Sequence, residues 1–290
     1  MNSGTLRTIP RTLAGVLLVF CGFSSVFPQA VKAQHAHLSL VSEQLFVASG
    51  RSQWIGLRFQ LDPGWHIYWS NPGDSGEPPK VTWHLPGGFQ AGELQFPAPR
   101  RIADHGLTDY GYENDVVLLS KLTVPAGATS NKIDIGADVR YLVCREVCMP
   151  GKDQVSLTLA AGQNGTSSPH AELIRTAKAH LPQPLPAQAH VTADLRPDAL
   201  LITVGGKSAG MGELLDFIPS DAQVMDNSAR PMISGSGPAW QIKLKKSEQL
   251  DTSISRLRGL LITSIGAYNV DVAVVPKKKN SHNASVPKHS

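Results

Sequence analysis

Two cysteines four residues apart, Cys144 and Cys148 in the stretch LVCREVCMPG (Leu142–Gly151), are the residues of this chain best suited to chemistry. Close thiols exchange with disulfides or hold soft metal ions. Residues four apart are separated by about 13 Å along a strand, and their Cβ atoms by about 5–6 Å on a helix, whereas a disulfide needs Cβ atoms about 3.5–4.5 Å apart. If the two pair, Arg145, Glu146 and Val147 must form a turn, and Met149-Pro150-Gly151 are expected to end it. The plain alternative is a structural staple. In the chain-entropy picture a ring of about five residues contributes about 2 kcal/mol, against nearly 5 for a loop of about a hundred. The spacing therefore favours a redox or metal-binding role while leaving the staple open. Arg145 and Lys152 are positioned in sequence to favour a thiolate and Glu146 to oppose one.

The flanks supply the scaffold. Ala137, Val139, Tyr141 and Val143 alternate with polar residues before the pair, and Val155, Leu157 and Leu159 after it, so two strands carry the cysteines on their connection. Upstream, short alternating segments are expected at Leu38–Phe46, Ser52–Leu61, Trp65–Trp69, Val81–Leu85, Val116–Val124 and Ile133–Val143. Turns such as Asp62-Pro63-Gly64 and Pro86-Gly87-Gly88 punctuate them, a texture that means a β-sandwich or barrel. Trp65, Ile67 and Trp69 share one strand face as core residues, with His66 and Tyr68 on the other; His66 reads as a packed histidine. The Pro- and Gly-rich run Asn71–Pro79 reads as a surface loop able to border a site.

From Gln163 the texture changes. Ser168 is expected to cap a short helix with Pro169 at its first position, Leu173, Ile174, Ala177 and Leu181 forming its apolar stripe and Pro182 its stop. Beyond residue 187 come further strands, at His190–Leu195, Leu200–Val204, Glu213–Ile218, Trp240–Lys245, Leu257–Thr263 and Tyr268–Val275. They carry no cysteine and no acid/base cluster, so this second, smaller β-rich domain is expected to pack or to dock a partner. The division is thus residues 1–33, 34–162, 163–187, 188–276 and a basic tail, 277–290.

Residues 1–33 have the form of a cleaved signal peptide: Arg7 and Arg11, an apolar run from Leu13 to Phe27, and Val31-Lys32-Ala33 as cleavage site. That run is shorter than the roughly 20 residues of a membrane span, and Cys21 would leave with it. Removing Arg7, Arg11 and Lys32 from 27 basic residues leaves 24 against 23 acidic ones. Four of those, Lys277, Lys278, Lys279 and Lys288, sit in the tail, so no basic face for nucleic acid is expected.

Four ordered motifs carry a resemblance: PGWHIYWSNPGDSGEPP (Pro63–Pro79), LQFPAPRR (Leu94–Arg101), LTDYGYEN (Leu107–Asn114) and YLVCREVCMPG (Tyr141–Gly151). Together they resemble the N-terminal periplasmic domain of the thiol:disulfide interchange protein DsbD family, nearest its ScsB-like branch. DFIPSD (Asp216–Asp221) and LRGLLITSIGAYNVDV (Leu257–Val272) resemble the second extracytoplasmic module of that branch. The resemblance implies an immunoglobulin-like β-sandwich whose cysteines cycle between dithiol and disulfide. Electrons arrive from a membrane-embedded DsbD-type donor and leave to thioredoxin-like periplasmic proteins, with no cofactor. On this chain Cys148 resembles the cysteine that joins partners and Cys144 the one that resolves them; Asp109, Tyr110 and Tyr112 fall on the family's shielding cap. The chain departs from the family in its C-x-x-x-C spacing, in its cap sequence, and in lacking the membrane and terminal thioredoxin-like domains of full-length relatives. Two other readings remain: a copper-tolerance protein binding Cu(I) through Cys144, Cys148 and Met149, or a binding module with an inert disulfide. His35 and His37, near the new N-terminus, are not expected to form an essential metal site.

Overall fold

The computed structural model describes Met1 and residues 35–104, 106–128, 131–162, 165–206, 210–236, 239–250 and 254–276. Residues 2–34, which hold Cys21 and nearly all of the stretch read as a signal peptide, and the lysine tail lie outside the described residues.

The first half of the chain is strand after strand: β1 (Ala36–Ser42), β2 (Phe46–Val47), β3 (Ser52–Leu61), β4 (His66–Gly73), β5 (Lys80–His84), β6 (Gln90–Ala91), β7 (Arg100–Asp104), β8 (Leu107–Glu113), β9 (Asp115–Thr123), β10 (Lys132–Cys144) and β11 (Cys148–Ala161). They form two sheets, one ordered β1-β3-β9-β6 and the other β2-β11-β10-β4-β8-β7, with β5 also alongside β10. Period-two alternation explains the layers. Ile55, Leu57 and Phe59 of β3 face Ile67 of β4 and Ile135, Val139 and Val143 of β10 across one apolar core. This is an immunoglobulin-like β-sandwich. The opposite face of the smaller sheet presents Val41, Val117 and Leu119, and α1 (Ala171–Ala179) covers them with Ile174 and Ala177.

That helix starts later than expected. Its cap position is His170, which makes no side-chain cap bond, because the Ser168 hydroxyl donates to the Ser42 carbonyl and accepts from the His170 amide at 3.0 Å. Ser168 thus ties the helix entrance to β1 instead of capping it.

The chain continues through β12 (Gln183–Pro184), β13 (Ala189–Leu195), β14 (Ala199–Gly206), β15 (Leu214–Pro219), β16 (Met232–Ser236), β17 (Ala239–Lys245), β18 (Arg256–Thr263) and β19 (Gly266–Pro276). These build a third sheet, ordered β15-β18-β19-β13-β14-β17-β16, with its own core around Leu200, Ile202, Phe217, Ile242, Leu244 and Leu261. This second β-rich domain meets the sandwich along a buried seam, since Ile218 and Leu260 belong to the sandwich core.

Three strand expectations change. Arg100–Asp104 and Leu107–Glu113 are paired strands, hidden in the sequence because β8 buries the polar Thr108 and Asp109 beside its tyrosines. Asn71–Gly73 extends β4 past an irregularity in its pairing with β8. Met149-Pro150-Gly151 does not end the turn: β11 begins at Cys148, and Pro150 lies opposite Leu142. Proline is tolerated there because the neighbour on the other side of β11, β2, pairs only at Ala160 and Ala161, so no ladder bond needs the missing N–H. Gly151 is required by close approach, as a Cβ would lie 2.4 Å from Cζ of Tyr141.

Candidate functional site

β10 and β11 form one long hairpin whose last register pair is Cys144 opposite Cys148, and the two are joined as a disulfide with Cα atoms 4.2 Å apart. The turn Arg145-Glu146-Val147 is exposed, and Val147 is 62% exposed at its tip. The two cysteines differ in burial: Cys144 is 2% exposed, whereas Cys148 is an exposed residue.

The far edge of β10 is shared. His66 at the start of β4 lies opposite Cys144, and Lys80 at the start of β5 lies opposite Arg140. The chain therefore uses Ile67–Pro79 merely to pass from Cys144 to Arg140 along β10, and the excess folds outward against β8. Alternation sends Ile67 and Trp69 into the core and His66 and Tyr68 to the outer face beside the cysteines, yet both outer residues are buried, His66 at 3% and Tyr68 at 0% exposed. The cover is the Asp74–Pro79 loop. At Gly76 a Cβ would lie 2.1 Å from Cζ of Tyr68, so the loop backbone rests on the phenol ring, and a φ of +76° there also favours glycine. The Tyr68 hydroxyl reaches the Cys148 Sγ at 3.4 Å. His66 packs edge-on to Tyr68 with ring centroids 5.2 Å apart. Its Nε2 is buried without a hydrogen-bond partner, 3.7 Å from Asp109 Oδ2.

The cap residues of β8 divide by the same alternation. Asp109 faces the site side and accepts from the Ser75 amide at 2.9 Å and hydroxyl at 2.8 Å, fixing the covering loop. Tyr110 and Tyr112 face the core side. Tyr110, 0% exposed, gives its hydroxyl to Asn227 Oδ1 at 2.8 Å, and Tyr112 gives its own to the Pro97 carbonyl at 2.7 Å. Burial pushes both phenols well above their ordinary pKa, with the Arg101 charge pulling Tyr110 part of the way back. The phenol touching the disulfide is Tyr68, which a reading of β4 as a plain core strand passes over. The signal for it is the run Gly73-Asp74-Ser75-Gly76 directly after the strand, with enough glycine for the loop to lie flat on a ring.

The remaining candidates are spread apart. Met149 lies opposite Val143 and packs on the sandwich core, so strand alternation takes its thioether to the face away from both sulfurs. Lys152 sits across from Arg140, further down the hairpin, and the Arg145 guanidinium is 3.8 Å from Glu146 on the exposed turn. His35 is fixed, stacked on Trp65 at 3.8 Å and bonded to Asp62 at 2.9 Å, while His37 is exposed on β1. Among the described residues no group of three or more His, Cys, Asp or Glu side chains is arranged to hold a metal ion. The described residues also contain no helix long and apolar enough to cross a membrane.

A hairpin-tip disulfide on an immunoglobulin-like sandwich agrees with what sequence comparison finds. The family described as thiol:disulfide interchange protein DsbD, N-terminal, matches residues 36–160. Those residues form a DsbD N-terminal-like domain. The similarity in structure extends further: the N-terminal periplasmic domain of ScsB from Proteus mirabilis is 19% identical, and the alignment covers 83% of this chain and 94% of that one with a TM-score of 0.61. The second β-rich domain is therefore part of the shared fold. The periplasmic chaperone SfaE, 7% identical, and a chimeric titin Z1Z2, 14% identical, align over 83% and 86% of this chain and all of theirs, with TM-scores of only 0.23 and 0.20. No curated protein matches the chain in sequence.

Proposed function

We propose that this DsbD N-terminal-like domain is an extracytoplasmic thiol–disulfide exchange module that relays reducing equivalents through Cys144 and Cys148. The observation that carries the proposal is the unequal burial of the two cysteines at the hairpin tip. Exchange needs one thiol that a partner can reach and one that acts only after the first has reacted. Cys148 is the attacking thiol. As a thiolate it displaces one sulfur of a partner's disulfide, forming a mixed disulfide and releasing a partner thiolate. Cys144 then loses its proton and attacks the Cys148 sulfur, restoring the intramolecular disulfide and releasing the partner's second thiolate. Two electrons pass from this domain to the partner, whose two thiolates take up protons. A membrane-embedded DsbD-type donor would return the domain to its dithiol form, and thioredoxin-like periplasmic proteins would be the recipients. Shielding against stray oxidants falls to Tyr68 and the Asp74–Pro79 loop, with Asp109 anchoring the loop. The chain would work as a sandwich of residues 34–162, a linker to 187 and a second domain to 276, after loss of residues 1–33.

Cys144→Ala and Cys148→Ala chains, incubated separately with an oxidised thioredoxin-like protein and run on non-reducing gels, test the assignment. A stable adduct is expected with Cys144→Ala and little with Cys148→Ala. The opposite pattern reverses the roles. No adduct with either variant across several partners turns the reading to a Cu(I) site or an inert disulfide.

A further inference from the structure

Asn227 belongs to the second domain yet grips the loop that covers the disulfide. Its Nδ2 donates to Asp74 Oδ1 at 2.8 Å and its Oδ1 accepts from the Tyr110 hydroxyl at 2.8 Å. Its backbone carbonyl accepts from Arg101 Nη1 at 2.8 Å. With 9% exposure and both ends of its amide engaged, Asn227 is locked in one orientation. Asp74 is held as firmly on its other side, accepting from the Thr108 amide through Oδ2 at 2.7 Å and donating its own amide to the Thr108 carbonyl at 3.1 Å. Ser75 and then Gly76 follow, the first bonded to Asp109 and the second pressed on the Tyr68 ring. A second tie enters at the other end of the same segment, where Asn71 Nδ2 donates to the Pro219 carbonyl at 2.8 Å and the Asp221 carbonyl at 3.3 Å.

We propose that the second domain is a brace for the redox site: Asn227 positions the Asp74–Gly76 loop on Tyr68 and so holds the Tyr68 hydroxyl against Cys148. Asn227 is a positioning residue, acting on the sulfur through Asp74, the loop and the phenol. In the reduced protein an O–H directed at the sulfur favours the thiolate, and the phenol that the loop holds there stands against one side of the sulfur. Other groups bear on Cys148. Its own turn contributes Arg145 and Glu146, β4 contributes His66 next to Cys144, and β8 contributes Asp109 and, beyond His66, Glu113; Glu77 and Lys80 pair with each other on the exposed side of the loop. Of these elements the loop bears directly on Tyr68 and Asp109. The inference rests on the exchange reading for its purpose, but its test uses no partner protein, so either can fail alone.

In the full chain carrying Cys21→Ser and Cys144→Ala, Cys148 is the remaining cysteine of three. Its alkylation by iodoacetamide is followed from about pH 5 to about pH 10, where the midpoint reports thiolate formation and the plateau reports access. Adding Tyr68→Phe should move the midpoint up by roughly half a pH unit. Asn227→Ala should move it the same way and raise the plateau severalfold, Asp74→Ala should reproduce that result, and Asn227→Ala should add nothing to the midpoint once Tyr68→Phe is present. Circular dichroism and thermal melts accompany each variant, and Asn227→Ser replaces Asn227→Ala if the latter does not fold. An unchanged midpoint in the Asn227 and Asp74 variants, with or without a lower melting temperature, overturns the brace. So does an unchanged midpoint in Tyr68→Phe, or fully additive shifts in the double variant.

Discussion

The two faces of β4 are equally buried and held by opposite means. On the inner face Ile67 and Trp69 disappear into apolar side chains from both sheets, where burial alone stabilises and geometry is tolerant of small shifts. On the outer face His66 and Tyr68 are covered by a loop that has no core of its own and stays down through hydrogen bonds to Asp109, Thr108 and Asn227. Polar ties of this kind are each modest, about 0.5–1.5 kcal/mol net, but directional. The inner face keeps the sandwich folded, while the outer face keeps one phenol and two sulfurs in register. The second domain reaches both faces, the outer one through Asn227 on Asp74 and the inner one through Asn227 on the Tyr110 hydroxyl and through Ile218 and Leu260.

That contrast breaks most visibly at Ile67. Ile67→Ala removes a 0%-exposed side chain from the core and should cost about 2–5 kcal/mol, measured by urea or thermal unfolding. Protein that remains folded should keep wild-type alkylation of Cys148, because nothing on the outer face has changed. Gly76→Ala is the converse. Its methyl would enter the Tyr68 ring at a φ that side chains avoid, so the loop must lift or the ring must turn. Stability should fall by about 1–3 kcal/mol, less than for Ile67→Ala, while the reduced Cys148 reacts severalfold faster with a small oxidant. A Gly76→Ala protein with unchanged reactivity would show that the loop does not guard the sulfur.

The inner face was legible in the sequence and the outer one largely was not. Alternation of Ile55, Leu57 and Phe59, of Ala137, Val139 and Val143, and of Trp65, Ile67 and Trp69 gives the sandwich directly, because period-two burial is a local signal. Cys144 and Cys148 were equally plain, since three intervening residues force a turn if the sulfurs join. What escaped was long-range. Tyr68 becomes a site residue only because a loop from its own strand folds back over it, and β8 hid as Leu-Thr-Asp-Tyr-Gly-Tyr-Glu because its buried Asp109 is satisfied by that same loop. Resemblance brought Asp109, Tyr110 and Tyr112 to attention together, and alternation then parted them, leaving Asp109 with the loop and sending both tyrosine hydroxyls elsewhere. No spacing rule announces that Asn227 bonds to a residue far upstream at Asp74.

The smallest expected effect lies at the turn that presents Asn227, and it is one that only the polar face should show. The Lys245 ammonium, bonded to Asp226 at 2.7 Å, and then the Ser228 hydroxyl at 2.6 Å hold the Asp226 carboxyl down to about 2. A folded-state pKa below the unfolded one, about 3.9 for Asp, means stability that is fully present above the unfolded value and lost as pH falls through the folded one. Asp226→Asn should therefore melt below the wild type at neutral pH, and the gap should close between about pH 4 and pH 2. Because Lys245 is mostly exposed, solvent screening keeps the difference small, and added salt should shrink it further. The deficit of Ile67→Ala should hold nearly constant over the same range, since no charge takes part in it. A gap between Asp226→Asn and wild type that persists undiminished at about pH 2 would mean that the carboxylate's charge contributes nothing there, and that the turn before Asn227 is held by packing as the inner face is.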